Sequence, residues 1–329
     1  VLDAAIQQAV RDHSPKHSIV GGSLARVTPA GMAFEMHWGL ADKEKRFVPN
    51  ADTIYDWGSI TKLLCGLTFM QQRDLGRVQL EDLVARHLPA FSKIPKSDGI
   101  TIEHLLTHTS GLQTASTPEP IPNEAQYPLW PEIEAGFPRL KVEAPPGARY
   151  NYSNLGLMLV GRIVELLTRD EWESYAYKNW LMPLGMRDAY FDQTPLHFSN
   201  RRAESYTAEG KPYRMDVDHG ATTSNGGLKA SLRDMSRFAQ FLLKGEPPLD
   251  EMMRPRFATG KGGHVGLAFH LEPVEGRTFI GHGGSAAGFR AWLYVDRPSK
   301  QAFILVVNTD TGKAFAPAIL SAFAQACAA

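Results

Sequence analysis

An α+β fold, an antiparallel β-sheet flanked by terminal helices with a mostly helical region inserted, is what this 329-residue sequence predicts. Three features carry the prediction: strand-like runs near both ends, helical runs closing both termini, and a long middle that reads mostly as helix. Strands so far apart in the chain share one sheet only if the termini come together, which leaves the middle to form a region beside that sheet. The expected division is 1–52 with 264–329 for the sheet-containing region and 53–263 for the helical one, with a cleft at the junction.

Taken in order, Leu2 to Val10 reads as the first helix, and Ile19 to Gly39 as two strands around the turn Thr28-Pro29-Ala30-Gly31. Leu63 to Met70 is apolar enough to be a buried helix. Pro145, Pro146 and Gly147 make a turn into a short polar loop, after which Leu157, Leu159, Val160, Ile163, Val164 and Leu167 mark another helix. Phe279-Ile280 and Ala291 to Val295 flank a Gly-rich stretch as strands. Phe303 to Asn308 is a buried strand, and Phe315 to Ala326 closes the chain as a helix.

Lys plus Arg and Asp plus Glu are equal at 35 each, which gives a nucleic acid or an anionic membrane no electrostatic handle. No apolar stretch is long enough to span a bilayer. The sequence carries no signal-peptide pattern, which leaves the cytoplasm and export after processing both open. Cys65 and Cys327 read as free thiols. The composition fits a small neutral or singly charged substrate, and it leaves the oligomeric state open.

Three short segments carry chemistry. In Trp57-Gly58-Ser59-Ile60-Thr61-Lys62, residues 59 and 62 are three apart at the start of a helix and therefore share a face. A serine hydroxyl needs a base, and a lysine amine becomes one when burial lowers its pKa. In Tyr150-Asn151-Tyr152-Ser153-Asn154, Tyr152 could shuttle a proton and Asn154 could hold the lysine or a substrate amide. In Gly281-His282-Gly283-Gly284-Ser285, the glycines leave the backbone open to close approach, His282 could donate to a ligand, and the N–H of Ser285 could join that of Ser59 as an oxyanion hole. Each segment also has a plain structural reading: a capped helix, a turn tyrosine, a Gly-rich hairpin.

Together, Ser59-x-x-Lys62, Tyr152-x-Asn154 and His282-x-Gly284 resemble the serine β-lactamase and penicillin-binding protein superfamily, in particular its class C-like branch. That branch includes family VIII carboxylesterases, D,D-peptidases and D-aminopeptidases. Gln79 to Pro89, Ile102 to Leu112 and Ser224 to Leu228 look like the same family, so the resemblance spans nearly the whole chain. It implies a β-lactamase/transpeptidase-like fold and an acyl-enzyme on Ser59, with Lys62 and Tyr152 as the acid/base pair, either of them the base. Asn154, His282, Gly284 and Ser285 would bind substrate. No cofactor is implied. The substrate would be a small ester, amide or β-lactam.

Class C β-lactamases usually carry Lys-Thr-Gly where this chain has His282-Gly283-Gly284, so a cation and a hydroxyl are missing there, with Arg290 a candidate replacement for the cation. This favours a carboxylesterase acting on small to medium acyl esters, with a D,D-peptidase, D-aminopeptidase or β-lactamase as the alternative. A catalytically silent scaffold or ligand sensor would have no need of Ser59, Lys62 and Tyr152 together. Gln113 to Pro131, rich in Pro, Thr and Glu, reads as a long loop over the cleft. Tyr127, Trp130, Phe289 and Trp292 either line an apolar acyl pocket or pack as ordinary aromatics. His104 and His108 stand four apart, but no third ligand is evident and no metal is expected.

Overall fold

The computed structural model describes residues 2–114 and 128–328. Helix α1 (Leu2–His13) leads into strands β1 (Gly21–Thr28) and β2 (Gly31–Gly39), joined at the predicted Thr28–Gly31 turn. Strand β3 (Ile54–Asp56) precedes α2 (Thr61–Asp74), and the short helices α3 (Val84–His87), α4 (Ile102–Leu106) and α5 (Trp130–Gly136) follow. Then come α6 (Asn154–Thr168), α7 (Trp172–Ala176) and α8 (Thr223–Gly226), β4 (Lys229–Ser231), α9 (Leu232–Lys244) and α10 (Leu249–Met252). Strands β5 (Phe257–Ala258), β6 (His264–Val265), β7 (His270–Val274), β8 (Arg277–Ala286), β9 (Phe289–Asp296) and β10 (Gln301–Val307) lead to α11 (Gly312–Ala328).

The main sheet has eight strands in the order β2-β1-β10-β9-β8-β7-β6-β5, antiparallel throughout. The N- and C-terminal strands β1 and β10 are neighbours in it, with Leu24 paired to Leu305. The α+β arrangement expected from the sequence is therefore the one observed. Strand β5 lies before the expected sheet region, and β6 and β7 lie within it where the sequence marked no strand. Two of them are only two residues long, and β7 contains Pro273, so none shows a clear alternating pattern.

Strand β10 explains why its sequence is apolar without alternation. Phe303, Leu305 and Val307 face α1 and α11 in one cluster with Ile6, Val10, Phe315, Ile319 and Phe323, while Ala302, Ile304 and Val306 join the larger cluster on the other face. A strand covered on both faces needs no polar positions. In the larger cluster α2 is central: Leu63, Leu64, Leu67, Phe69 and Met70 are all buried, and α6 packs beside it with Leu155, Leu157, Leu159, Val160 and Ile163. A second small sheet pairs β3 with β4 and brings Asp56 opposite Lys229. Among the described residues no helix is long and apolar enough to cross a membrane.

Candidate active site

Ser59 sits in a single 3-10 turn, Gly58–Ile60, that continues into α2. Gly58 holds φ +50°, and a Cβ there would stand 2.6 Å from the carbonyl oxygen of Ser285 on β8. Only glycine meets both demands. At Gly284 a Cβ would stand 2.0 Å from the Trp57 carbonyl oxygen, so turn and strand meet main chain to main chain. The pattern predicts that Gly281 and Gly284 clear space for a ligand; the space is taken instead by the protein's own carbonyls, those of Leu293 and Trp57. Three hydrogen bonds with residues 228 and 230 pin the turn from the other side, and one closes it internally. The Trp57 N–H and indole donate to the carbonyls of Leu228 and Ala230, both at 2.9 Å, and the Thr61 hydroxyl donates to Gly58 at 2.6 Å and accepts from the Leu228 N–H at 3.0 Å.

One turn along, the Lys62 amine lies 2.9 Å from the Ser59 hydroxyl and 2.7 Å from the Asn225 carbonyl. Its side chain is wholly buried. Burial pushes the amine down to about 7, with the Cys65 thiol opposing. Near neutral pH the amine therefore exists in both forms. In its neutral form, an N–H given to Asn225 leaves the lone pair free to face Ser59. The loop before α6 brings the Tyr152 phenol to the same hydroxyl, donating at 2.9 Å. Burial raises this phenol above its ordinary value, with the hydrogen bond to Ser59 opposing, so it remains a donor at neutral pH. Two distant segments thus converge on the Ser59 oxygen, and a third holds the amine through the Asn225 carbonyl.

A cleft of about 260 Å³ opens over Ser59, walled by Asn154, Met215, Val217, Thr222, Ser285, Ala286 and Ala287, with Asp56 among them. Asn154 and Ser285 thus share the cleft with Ser59, whereas Gly284 lies in the seam. Asp56 accepts from Arg202 at 2.9 Å in a buried pair. Arg202 also packs over the Phe289 ring, 5.2 Å from its centroid.

His282, predicted in the cleft wall as a donor, stands beside Tyr152, outside the residues that wall this cleft. It is 3% exposed, its Nδ1–H donates to the Gly283 carbonyl, and its Nε2 keeps a lone pair with no partner among the described residues. Its ring stands 6.0 Å from that of Tyr152. Arg290 is no substitute cation either: Asp310 binds its guanidinium at 2.6 Å, and the Phe289 carbonyl accepts from it at 2.7 Å. The aromatic acyl pocket also dissolves. Phe289 is buried against Tyr55, Trp130 packs on Arg162, Trp292 packs with the terminal-helix cluster, and Tyr127 lies outside the described residues. So does most of the predicted loop over the cleft, residues 115–127.

His104 turns into its own helix, where it and Thr101 form a reciprocal cap on α4. His108 instead joins His270 and His282, one ring nitrogen of each lying within 4.8 Å of the others. Neither His270 nor this grouping is legible in the sequence, because His270 belongs to one of the strands without a pattern. The cluster does not suit a metal ion. The Ser153 N–H donates to Nδ1 of His108 at 3.1 Å, so the neutral ring carries its proton on Nε2 and has no lone pair left for an ion. Burial, reinforced by one another's charge and by Lys62, holds His108 and His282 well below the ordinary histidine value, and burial with Lys62 puts His270 at about 4. The third missed element, the Asn225 carbonyl, is a main-chain group within the recognised segment Ser224 to Leu228.

A family model described as Beta-lactamase matches residues 2–326. Among curated proteins, the chain is 28% identical over 197 residues to Protein flp of Staphylococcus aureus (strain MW2), covering 59% of this chain and 39% of that protein. The chain therefore spans about two fifths of that relative's length. Among solved structures it superposes on a D-amino acid amidase from Ochrobactrum anthropi SV3 with a TM-score of 0.85 at 24% identity, covering 99% of this chain and 98% of the other. It superposes on a class C beta-lactamase with a TM-score of 0.83 at 20% identity, covering 97% and 96%. At those identities the structural likeness speaks for the fold alone.

Proposed function

The chain belongs to the beta-lactamase family, and from that premise we propose that it is a carboxylesterase acting on small to medium acyl esters through an acyl-enzyme on Ser59. The observation that carries the reading is a wholly buried amine, with an ordinary pKa lowered to about 7, at 2.9 Å from a serine hydroxyl. Lys62 takes the Ser59 proton as Oγ forms its bond to the ester carbonyl, and the N–H groups of Ser59 and Ser285 receive the developing oxyanion. Tyr152, kept protonated by burial, passes its proton to the departing alkoxide as the ester C–O bond breaks, and recovers one from the Lys62 ammonium. Water then attacks the acyl-enzyme and restores Ser59. Asn154 positions the acyl chain from the wall of the cleft.

The lining supports an uncharged substrate. Its described residues include one carboxylate, Asp56, already paired with Arg202, and neither lysine nor arginine. Residues 115–127 contain no lysine or arginine in sequence. A substrate carboxylate, such as penams and D-alanyl peptides carry, would find no fixed cation there. The test sets p-nitrophenyl esters, nitrocefin and D-alanyl peptides side by side, with fluorophosphonate labelling read by intact mass. One label, absent in Ser59→Ala, and the highest kcat/KM on a short-chain ester are expected. A far higher kcat/KM on nitrocefin or on the peptides would replace the esterase reading with a β-lactamase or peptidase; an unlabelled protein would make it a silent scaffold.

A further inference from the structure

We propose that His108 is a positioning residue for Tyr152, an inference that rests on the acyl-transfer reading above. His108 grips the chain on both sides of the tyrosine: its carbonyl accepts from the Asn151 N–H at 2.7 Å, and its Nδ1 accepts from the Ser153 N–H at 3.1 Å. Its ring also lies on the Tyr152 ring, centroids 4.5 Å apart and planes 30° apart. One residue thus fixes the phenol by its backbone, its ring edge and its ring face.

The backbone at this point bears the mark of the constraint. His108 holds φ +55°, in the left-handed region that few residues other than glycine occupy, histidine among the more tolerant with asparagine and aspartate. At His108 the conformation is held by the two hydrogen bonds to residues 151 and 153. Asparagine or glycine would make the turn more easily. Neither would lay a ring on the phenol, and glycine would leave the Ser153 N–H without its acceptor. Backbone and ring of His108 together thus reach residues 151, 152 and 153, and the loop they hold brings the phenol to 2.9 Å from Ser59.

A double-mutant cycle on a p-nitrophenyl ester distinguishes positioning from mere support, because Tyr152→Phe keeps the ring and removes the hydroxyl being positioned. His108→Asn, which tolerates the left-handed turn, is expected to lower kcat by about 10- to 100-fold in the wild-type background with KM within about twofold, since misplacement near 1 Å costs up to about 100-fold. In the Tyr152→Phe background the same change should cost less than about twofold. His108→Gly, free of backbone strain, should match or exceed the loss and provides a second route should the asparagine variant not fold. Equal losses in both backgrounds, or no loss in the first, would overturn the inference. Unchanged turnover in Tyr152→Phe itself would remove Tyr152 from the mechanism and the inference with it, a failure distinct from additivity.

Discussion

Two lysines in this molecule are buried almost to the last atom, Lys62 at 0% and Lys229 at 1% exposure, and their surroundings assign them opposite characters. Lys229 gives its amine to the carbonyls of Asp192 and Val217, both at 2.9 Å, and stands in the field of Asp56, Asp216 and Asp192. Burial lowers its pKa, and those carboxylates oppose the fall while Arg202 adds to it. Around Lys62, among the described residues, no carboxylate opposes burial, only the Cys65 thiol, and the acceptors are one hydroxyl and one carbonyl. The contrast separates a lysine that holds a structure together by remaining a donor from one that can accept a proton. Burial alone does not make a base; burial without a counter-ion does.

Exchanging each amine for a side chain of similar length breaks the comparison most severely. Lys62→Met should lower kcat by about 10²- to 10⁴-fold, the usual contribution of a general base, while costing less stability than the change at Lys229, because only the Asn225 carbonyl loses its donor. Lys229→Met should leave two carbonyls without a donor and cost about 3 kcal/mol of stability, measured by urea unfolding. Equal stability losses in the two variants would erase the distinction.

The pH profile sharpens it. Below about 7 Lys62 holds a proton and has no lone pair, so kcat/KM for an ester should climb about tenfold per pH unit toward that value and level off above it. A profile flat from pH 5 to 8 would rule out Lys62 as the base.

A smaller effect concerns the imidazoles on the Lys62 side. His108, His270 and His282 are held below their ordinary 6.5, so at pH values below 6.5 the unfolded chain takes up protons that the fold refuses. Their contribution is intact above about 6.5 and is lost as pH falls toward the folded value, about 4 for His270. Unfolding free energy should therefore drop over that window, and the drop should shrink in His270→Gln; an unchanged slope would mean that the ring already titrates freely.

Much of this was legible in the residues. Helical spacing puts Ser59 and Lys62 on one face, but Tyr152 joins them only through the agreement of all three motifs with the family's order, since each segment alone has a plain structural reading. What failed was decided by contacts that no local pattern encodes. Arg290 was lost to Asp310, a partner across a strand and a turn. His108 lost the partner suggested by its spacing, since His104 turned back to cap α4. His282 stands in the expected neighbourhood, beside Tyr152, with its Nδ1–H spent on the Gly283 carbonyl. The aromatic residues near the cleft proved to be core, because β9 presents Phe289 to Tyr55 and Trp292 to the opposite face.

The joint between Gly58 and Gly284 contains only peptide groups, which makes the chemistry and the choice of substrate separable in evolution. Residues 215, 217, 286 and 287 can change size around an acyl group without disturbing the amides that would face its oxygen. A single methyl group at 284 would instead wedge the sheet away from the serine, so this scaffold can be retuned widely at its walls and hardly at all along that line.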